Sequence, residues 1–293
     1  MKSKILFFGC NHSQIPYMQN LKKRGYYIIA TDINNDAPGL YLADSFYNCG
    51  YDNFEDLEKA IDTEGPDQIK HIFTASSQFS HLGASHLANY LGIKYPEITN
   101  IDICLDKTKF YPLFKENGIS IPDTNYVRNE EELKKTLEKY SNDTSFYLKS
   151  DFSKNPNHIY FGTSEELLKN EINWKKDRYF KESYILQTNY LGEGIRLNLF
   201  PGGYELYEFE SGKFLNNNDW EQLKDFGILS RLLSLKQLLG MDNWLLKFDI
   251  LIGSDDYVVL DIGMDPPYRM KRYWESQGLS FIDFYIDLYL LDQ

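Results

Sequence analysis

The apolar run Ile5-Leu-Phe-Phe8 leads straight into Gly9; a helix-like pattern follows over 14–24, then a second apolar run over 26–31 closed by Asp32. Strand, helix and strand in so few residues make a βαβ unit, and parallel strands of this kind need helices over both faces of their sheet. A further apolar segment at His71–Ala75, between an amphipathic stretch from Phe54 to Ile61 and a helical one from Ser85 to Leu91, extends the alternation. The N-terminal part therefore reads as a Rossmann-like unit over 1–100.

At roughly 150 residues per domain, 293 residues leave room for a second unit. Its pattern differs. A helix over Lys109–Glu116 ends at Asn117-Gly118, and Asn125–Val127, Ser145–Lys149 and Tyr184–Thr188 read as strands, with helices over 130–140 and 164–170 between them. Antiparallel signals follow. Arg196–Phe200 and Glu205–Glu210 flank Gly202-Gly203, a helix is expected over 220–238, and Leu245–Ile252 and Tyr257–Ile262 flank Gly253-Ser-Asp-Asp256. The chain is thus α/β followed by α+β.

Charge narrows the function classes. Against 31 Lys and Arg stand 43 Asp and Glu, a net charge of −12, whereas nucleic-acid binding rests on a basic surface. No nucleic acid is expected as a partner. No segment is long and apolar enough for a membrane span, so no membrane role is expected either. Cys10, Cys49 and Cys104 are odd in number and lack a C-x-x-C spacing, which points away from a disulfide framework or zinc site and towards a reducing cytoplasm.

Gly9 and Asp32 stand where a dinucleotide fingerprint begins and ends, but Gly9-Cys-Asn-His-Ser-Gln14 holds one glycine of the three that fingerprint needs. A redox Rossmann protein binding NAD(P) is therefore disfavoured. His12, His71, His81 and His86 pair with no serine or cysteine nucleophile in a familiar order and read as structural.

Asp249 and Asp261 fall on the two strands of one hairpin, where their carboxylates can share a face and suit phosphate-bound Mg²⁺. Taken with Asp106-Lys107-x-x-Phe110, Gly118-Ile-x-Ile-Pro122, Tyr147-Leu148-Lys149 and Gln187-x-x-Tyr-Leu191-Gly192-Glu193, the chain resembles the ATP-grasp superfamily. Its N-terminal stretch is similar to the pre-ATP-grasp domain of the biotin-carboxylase-like, carboxylate–amine ligase branch.

That resemblance implies an ATP-grasp domain over 101–293, with a central nucleotide lid at about 120–187 and a C-terminal metal-binding part at about 188–293. It implies ATP with Mg²⁺ or Mn²⁺, Lys107 and Lys149 on the phosphates, and an adenine-reading hinge at Leu186, Gln187, Thr188 and Tyr190, with Glu193 near the ribose. Asp249 and Asp261 become the metal pair, with Asp265 as a further ligand because Gly263 replaces the usual asparagine. Lys247, Arg196 and Arg269 become candidates for holding the acyl phosphate and a substrate carboxylate. The implied reaction joins a small-molecule carboxylate to an amine, and a homodimer stays open.

The segment Ser150-Asp-Phe-Ser-Lys-Asn-Pro-Asn-His158 departs from the family, whose flap here is glycine-rich. Side chains such as Lys154, Ser153 or His158 would have to replace backbone amides on the phosphates. The departure keeps two alternatives alive: a nucleotide-binding pseudoenzyme, and a small-molecule kinase of the same fold.

Overall fold

The computed structural model describes residues 3–152, 158–175, 182–215 and 227–290. Three four-stranded sheets organise them. The first takes β1 (Lys4–Phe8), β2 (Tyr27–Thr31), β3 (Ser45–Tyr47) and β4 (Ile69–Thr74) in the order β3-β2-β1-β4, all parallel. Because β1 lies between β2 and β4, the loops leaving β1 and β4 run to opposite faces and open a crevice at their carboxyl ends. Helices α1 (Ile15–Lys23), α2 (Phe54–Glu64), α3 (Ser80–Leu91) and α4 (Ile98–Leu105) accompany this sheet.

Helix α5 (Lys107–Glu116) starts at Lys107, two residues earlier than its periodicity suggests, because the Asp106 side chain accepts from the Thr108 amide and caps it. The second sheet follows in the order β5-β8-β6-β7, built from β5 (Thr124–Val127), β6 (Ser145–Ser150), β7 (Ile159–Thr163) and β8 (Tyr184–Thr188). Helices α6 (Glu130–Leu137) and α7 (Ser164–Lys169) lie with it, and a capping box between Thr163 and Glu166 opens α7. Leu133, Leu137, Phe146, Leu148, Leu167 and Leu186 form a separate small core there.

The third sheet is antiparallel, β10-β9-β11-β12, from β9 (Glu193–Phe200), β10 (Gly203–Glu208), β11 (Leu246–Ile252) and β12 (Tyr257–Gly263). Of the helix expected over 220–238, α8 covers Ile228–Leu238 and the rest lies outside the described residues. Helices α9 (Tyr268–Ser276) and α10 (Phe281–Leu290) close the chain. α10 returns to the first sheet, where Tyr285 packs edge-on against Tyr17 and Phe73 with ring centroids 5.7 and 5.8 Å apart. The N- and C-terminal parts therefore share one large core.

Candidate nucleotide and metal site

The inward-facing positions of the third sheet form two polar rows. Strand register sets Asp249 opposite both Arg196 on β9 and Asp261 on β12, and sets Lys247 opposite Asn198 and Gly263. Side chains two apart on a strand share a face, so both rows look the same way. Arg196 grips Asp249 in a two-pronged pair, Nε to Oδ1 at 2.7 Å and Nη2 to Oδ2 at 2.9 Å. Lys247, almost fully buried, reaches Asp265 at 2.5 Å.

The register slips at this point. Asp249 faces Asp261 but Ile250 faces Val259, which leaves Leu260 as the extra residue of a bulge. The freed Leu260 carbonyl accepts from the Tyr111 hydroxyl at 2.6 Å, and that hydroxyl stands 3.3 Å from Oε1 of Gln187. The same oxygen accepts from Lys149 Nζ at 3.0 Å, and Gln187 Nε2 donates to Thr124 Oγ1 at 3.0 Å. A chain of polar contacts thus runs from β6, which bears Lys149, through Gln187 and α5, to the strand bearing Asp261.

Lys149 is strongly perturbed. Burial lowers its pKa to about 8, with Lys107 pushing in the same direction and Asp261 and Asp249 opposing it. Those influences put Lys107, Asp249 and Asp261 each within electrostatic reach of Lys149. Lys107 is itself buried, at the first position of α5, and its amide donates to the Asp151 carbonyl at 2.9 Å.

Arg269 belongs to the rim of the same face. Its Nη1 donates to the Glu208 carbonyl at 3.0 Å, and its guanidinium lies 5.3 Å from the Phe209 ring, as does that of Arg196. Burial, then the nearby Arg196, lowers the Arg269 pKa. Phe209 and Asn198 are not legible in the sequence as site residues. Asn198 is completely buried, and neither its amide nitrogen nor its oxygen has a hydrogen-bond partner, so a polar group is orphaned on the face that carries Arg196 and Lys247.

Other expected positions fall differently. Leu186 has its side chain in the core of the second sheet, in a central strand paired on both sides, which leaves only its backbone for an adenine-reading role. Gln187 is occupied in holding Lys149. Thr188 donates its amide to the Asp123 carbonyl, Tyr190 bonds Asp256 in the β11–β12 turn, and Glu193 is exposed at the start of β9 opposite Ile252. His158 is buried and its Nδ1 pairs with the Tyr184 hydroxyl at 2.9 Å, which takes it away from a phosphate-facing role. Lys154 and Ser153 lie outside the described residues.

Among the described residues no three acidic, histidine or cysteine side chains gather into a metal cage. Mg²⁺ on a nucleotide does not require one, since it binds through one or two carboxylates together with phosphates and waters. The adjacent Asp249 and Asp261, with Asp265 held nearby through Lys247, have the hard oxygen chemistry such an ion takes. The orphaned Asn198 amide adds unsatisfied polar capacity to the same face.

No protein-family model matches the chain, and no curated protein matches it in sequence. Solved structures do. N5-carboxyaminoimidazole ribonucleotide synthetase from Thermotoga maritima aligns with a TM-score of 0.72 at 16% identity, covering 100% of this chain and 76% of that one. The biotin carboxylase domain of 2-oxoglutarate carboxylase from Hydrogenobacter thermophilus, solved as a dimer with MgADP and bicarbonate, aligns at 0.71 and 15%, covering 99% and 70%. An L-amino acid ligase from Bacillus licheniformis gives 0.71 and 12%, covering 99% and 75%. With its three sheets in this order, the chain has the ATP-grasp fold behind an N-terminal Rossmann-like unit.

Proposed function

We propose that the protein is an ATP-dependent carboxylate–amine ligase. The observation that carries this reading is the half-buried Lys149 lying within electrostatic reach of the buried Lys107 and of two adjacent carboxylates, Asp249 and Asp261. Cations on the lid side neutralise phosphate oxygens, and a carboxylate pair takes the accompanying metal. Solved proteins of the same fold hold ADP or MgADP, which supports ATP and Mg²⁺ as the ligands here.

In this reading a substrate carboxylate oxygen attacks the γ-phosphorus, the bond to ADP breaks, and an acyl phosphate results. An amine lone pair then forms the C–N bond while the C–O bond to phosphate breaks. The phosphate leaves with that electron pair, and the nitrogen sheds one proton. Bound Mg²⁺ would neutralise charge on the phosphate oxygens. In this reading Lys107 and Lys149 bind the phosphates, Lys247 and Arg196 stabilise the oxyanion, and Arg269 offers a guanidinium to a carboxylate. The central part of the chain acts as lid and the C-terminal part as metal-binding floor. A homodimer fits this reading, since one neighbour of the same fold is a dimer. No helix among the described residues is long and apolar enough to cross a membrane.

A second reading, a nucleotide-binding pseudoenzyme, is favoured by one contact, because Arg196 engages both oxygens of Asp249. ADP release in the presence of ATP, Mg²⁺ and panels of carboxylates and amines separates the two. Release that needs both a carboxylate and an amine supports the ligase. ATP binding with no release from any pair supports the pseudoenzyme, and release with a lone acceptor and no amine supports a kinase.

A further inference from the structure

The crevice at the carboxyl ends of β1 and β4 has a volume of about 330 Å³. Gly9, at φ +83°, turns the chain out of β1 beside it, and a Cβ there would stand 2.9 Å from Ser76 Oγ, so the opening needs glycine. Its lining combines apolar Phe8, Ile33, Cys49, Tyr51 and Phe79 with neutral polar Asn11, Ser76 and Ser77, and with Asp32.

The three neutral polar residues also line a second cavity of about 490 Å³, whose far side is formed by Asp265, Pro266, Tyr268 and Lys271. Crevice and cavity therefore adjoin along these three residues, and together they make a trough from Tyr51 in the first domain to Asp265, which is ion-paired to Lys247. Burial raises the Cys49 thiol to about 11 and the Cys10 thiol to about 12, with Asp56 and Asp32 respectively adding to the effect, so both remain protonated.

Its charge selects the ligand. Neither lysine nor arginine lines the crevice among the described residues. Its one charged side chain, Asp32, is engaged by two backbone amides, Cys10 N to Oδ2 at 2.7 Å and Asn34 N to Oδ1 at 2.9 Å. A phosphate in this crevice would meet a carboxylate and no cation, which costs more than it returns. An apolar side group would instead cover Ile33, 72% exposed, and the Tyr51 and Phe79 rings. At the other end Lys271 is partnered by Glu275 at 3.8 Å, and the Asp265 carboxylate, held on one side by Lys247, is 37% exposed and lines the cavity.

We propose that this trough binds the amine substrate of the ligation, and that the amine is unphosphorylated and carries an apolar side group in the β1/β4 crevice with its nitrogen towards Asp265. The assignment rests on the ligase reading for the reaction but not for the binding. It also sets this chain apart from its structural neighbour whose name specifies a ribonucleotide.

Calorimetric titration of the whole protein with L-phenylalaninamide, glycinamide and glucosamine 6-phosphate tests it. L-Phenylalaninamide should bind at least about tenfold more tightly than either of the others, the difference expected from burying one aromatic side chain. Ser77→Trp, which fills the crevice, should weaken L-phenylalaninamide by more than about tenfold. Ile33→Ala, at an exposed position that does not threaten folding, should weaken it severalfold and carries the test if Ser77→Trp lowers Tm sharply. Tighter binding of glucosamine 6-phosphate, no binding of L-phenylalaninamide, or equal affinity in parent and Ile33→Ala protein overturns the proposal. ATP titration of the parent is kept separate: its failure defeats the ligase reading, whereas ATP binding without amine binding defeats only the trough.

Discussion

Lys149 and Gln187 are joined across adjacent strands by a 3.0 Å hydrogen bond in which an ammonium donates to a neutral amide oxygen. A carboxylate at that position would raise the lysine pKa, whereas the amide leaves burial free to lower it to about 8. The lysine pKa is therefore lowered to about 8, although an unperturbed lysine titrates near 10.4.

The first prediction concerns protons. Phosphates favour the charged form of Lys149, so above pH 8, where much of the free protein holds it neutral, ATP binding should take up close to one proton. Affinity should be flat below about pH 7 and fall as pH rises through 8. Calorimetry at pH 8.5 in two buffers of different ionisation enthalpy reads the uptake. Lys149→Arg, charged at every pH used, should abolish it, and equal uptake by both proteins would remove Lys149 from the phosphate site.

Gln187→Glu is the complementary change. A carboxylate 3.0 Å from the ammonium should lift the Lys149 pKa back towards that of an ordinary lysine, and ATP affinity should then persist to pH 9. Gln187→Leu should act oppositely, leaving the ammonium without its acceptor and weakening ATP at pH 7.5 by about tenfold. Both are read as ATP dissociation constants across pH, and parallel pH profiles for the two variants would contradict the link.

Asp249→Asn and Asp261→Asn should each lower ADP release by more than about tenfold, or roughly 1.4 kcal/mol in the barrier, and raise the Mg²⁺ concentration needed for half-maximal rate. Asp249→Asn also weakens the two-pronged grip of Arg196, so its loss of Tm should exceed that of Asp261→Asn. Unchanged metal dependence in both variants would place the ion elsewhere.

The sequence announces most of these elements for a physical reason. A strand buried on both faces is a short apolar run, and β1, β2 and β8 follow such runs within a residue or two. Helix α10 escapes a reading by period because Phe281–Leu290 is apolar on several sides, buried between α1 and β4, and so shows no clear stripe. Strand β3, at three residues, is too short to show a period. At the site, Asp249 and Asp261 are legible because one hairpin fixes their separation, whereas the tie from Tyr111 to Gln187 spans 76 residues and has no local pattern. His158 misleads for the same reason, since its Tyr184 partner lies on β8, 26 residues on.

His81 carries the last prediction. This α3 residue is 1% exposed, its Nδ1 lies 2.8 Å from the Tyr95 hydroxyl, and it also hydrogen-bonds the backbone of Met264, the residue before Asp265. Burial lowers its pKa to about 4, only partly offset by Met264 and Asp265, so the folded protein keeps the ring neutral where the unfolded chain, near 6.5, would protonate it. Between pH 6.5 and 4 the unfolded state therefore binds the extra proton, and stability must fall as pH falls through that window. The loss from this one residue is on the order of 3 kcal/mol, since each tenfold change in proton affinity is worth about 1.4 kcal/mol. His81→Gln, which retains a donor and an acceptor but no titrating ring, should flatten urea-unfolding stability between pH 6.5 and 4.5 relative to the parent. His81→Leu should flatten it too, but should also raise the Mg²⁺ requirement for ADP release, because Met264 and with it Asp265 lose their anchor to α3. Equal pH slopes in parent and His81→Gln protein would show that the imidazole is not held neutral, and an unaltered Mg²⁺ requirement in His81→Leu would show that α3 does not position the metal-side loop.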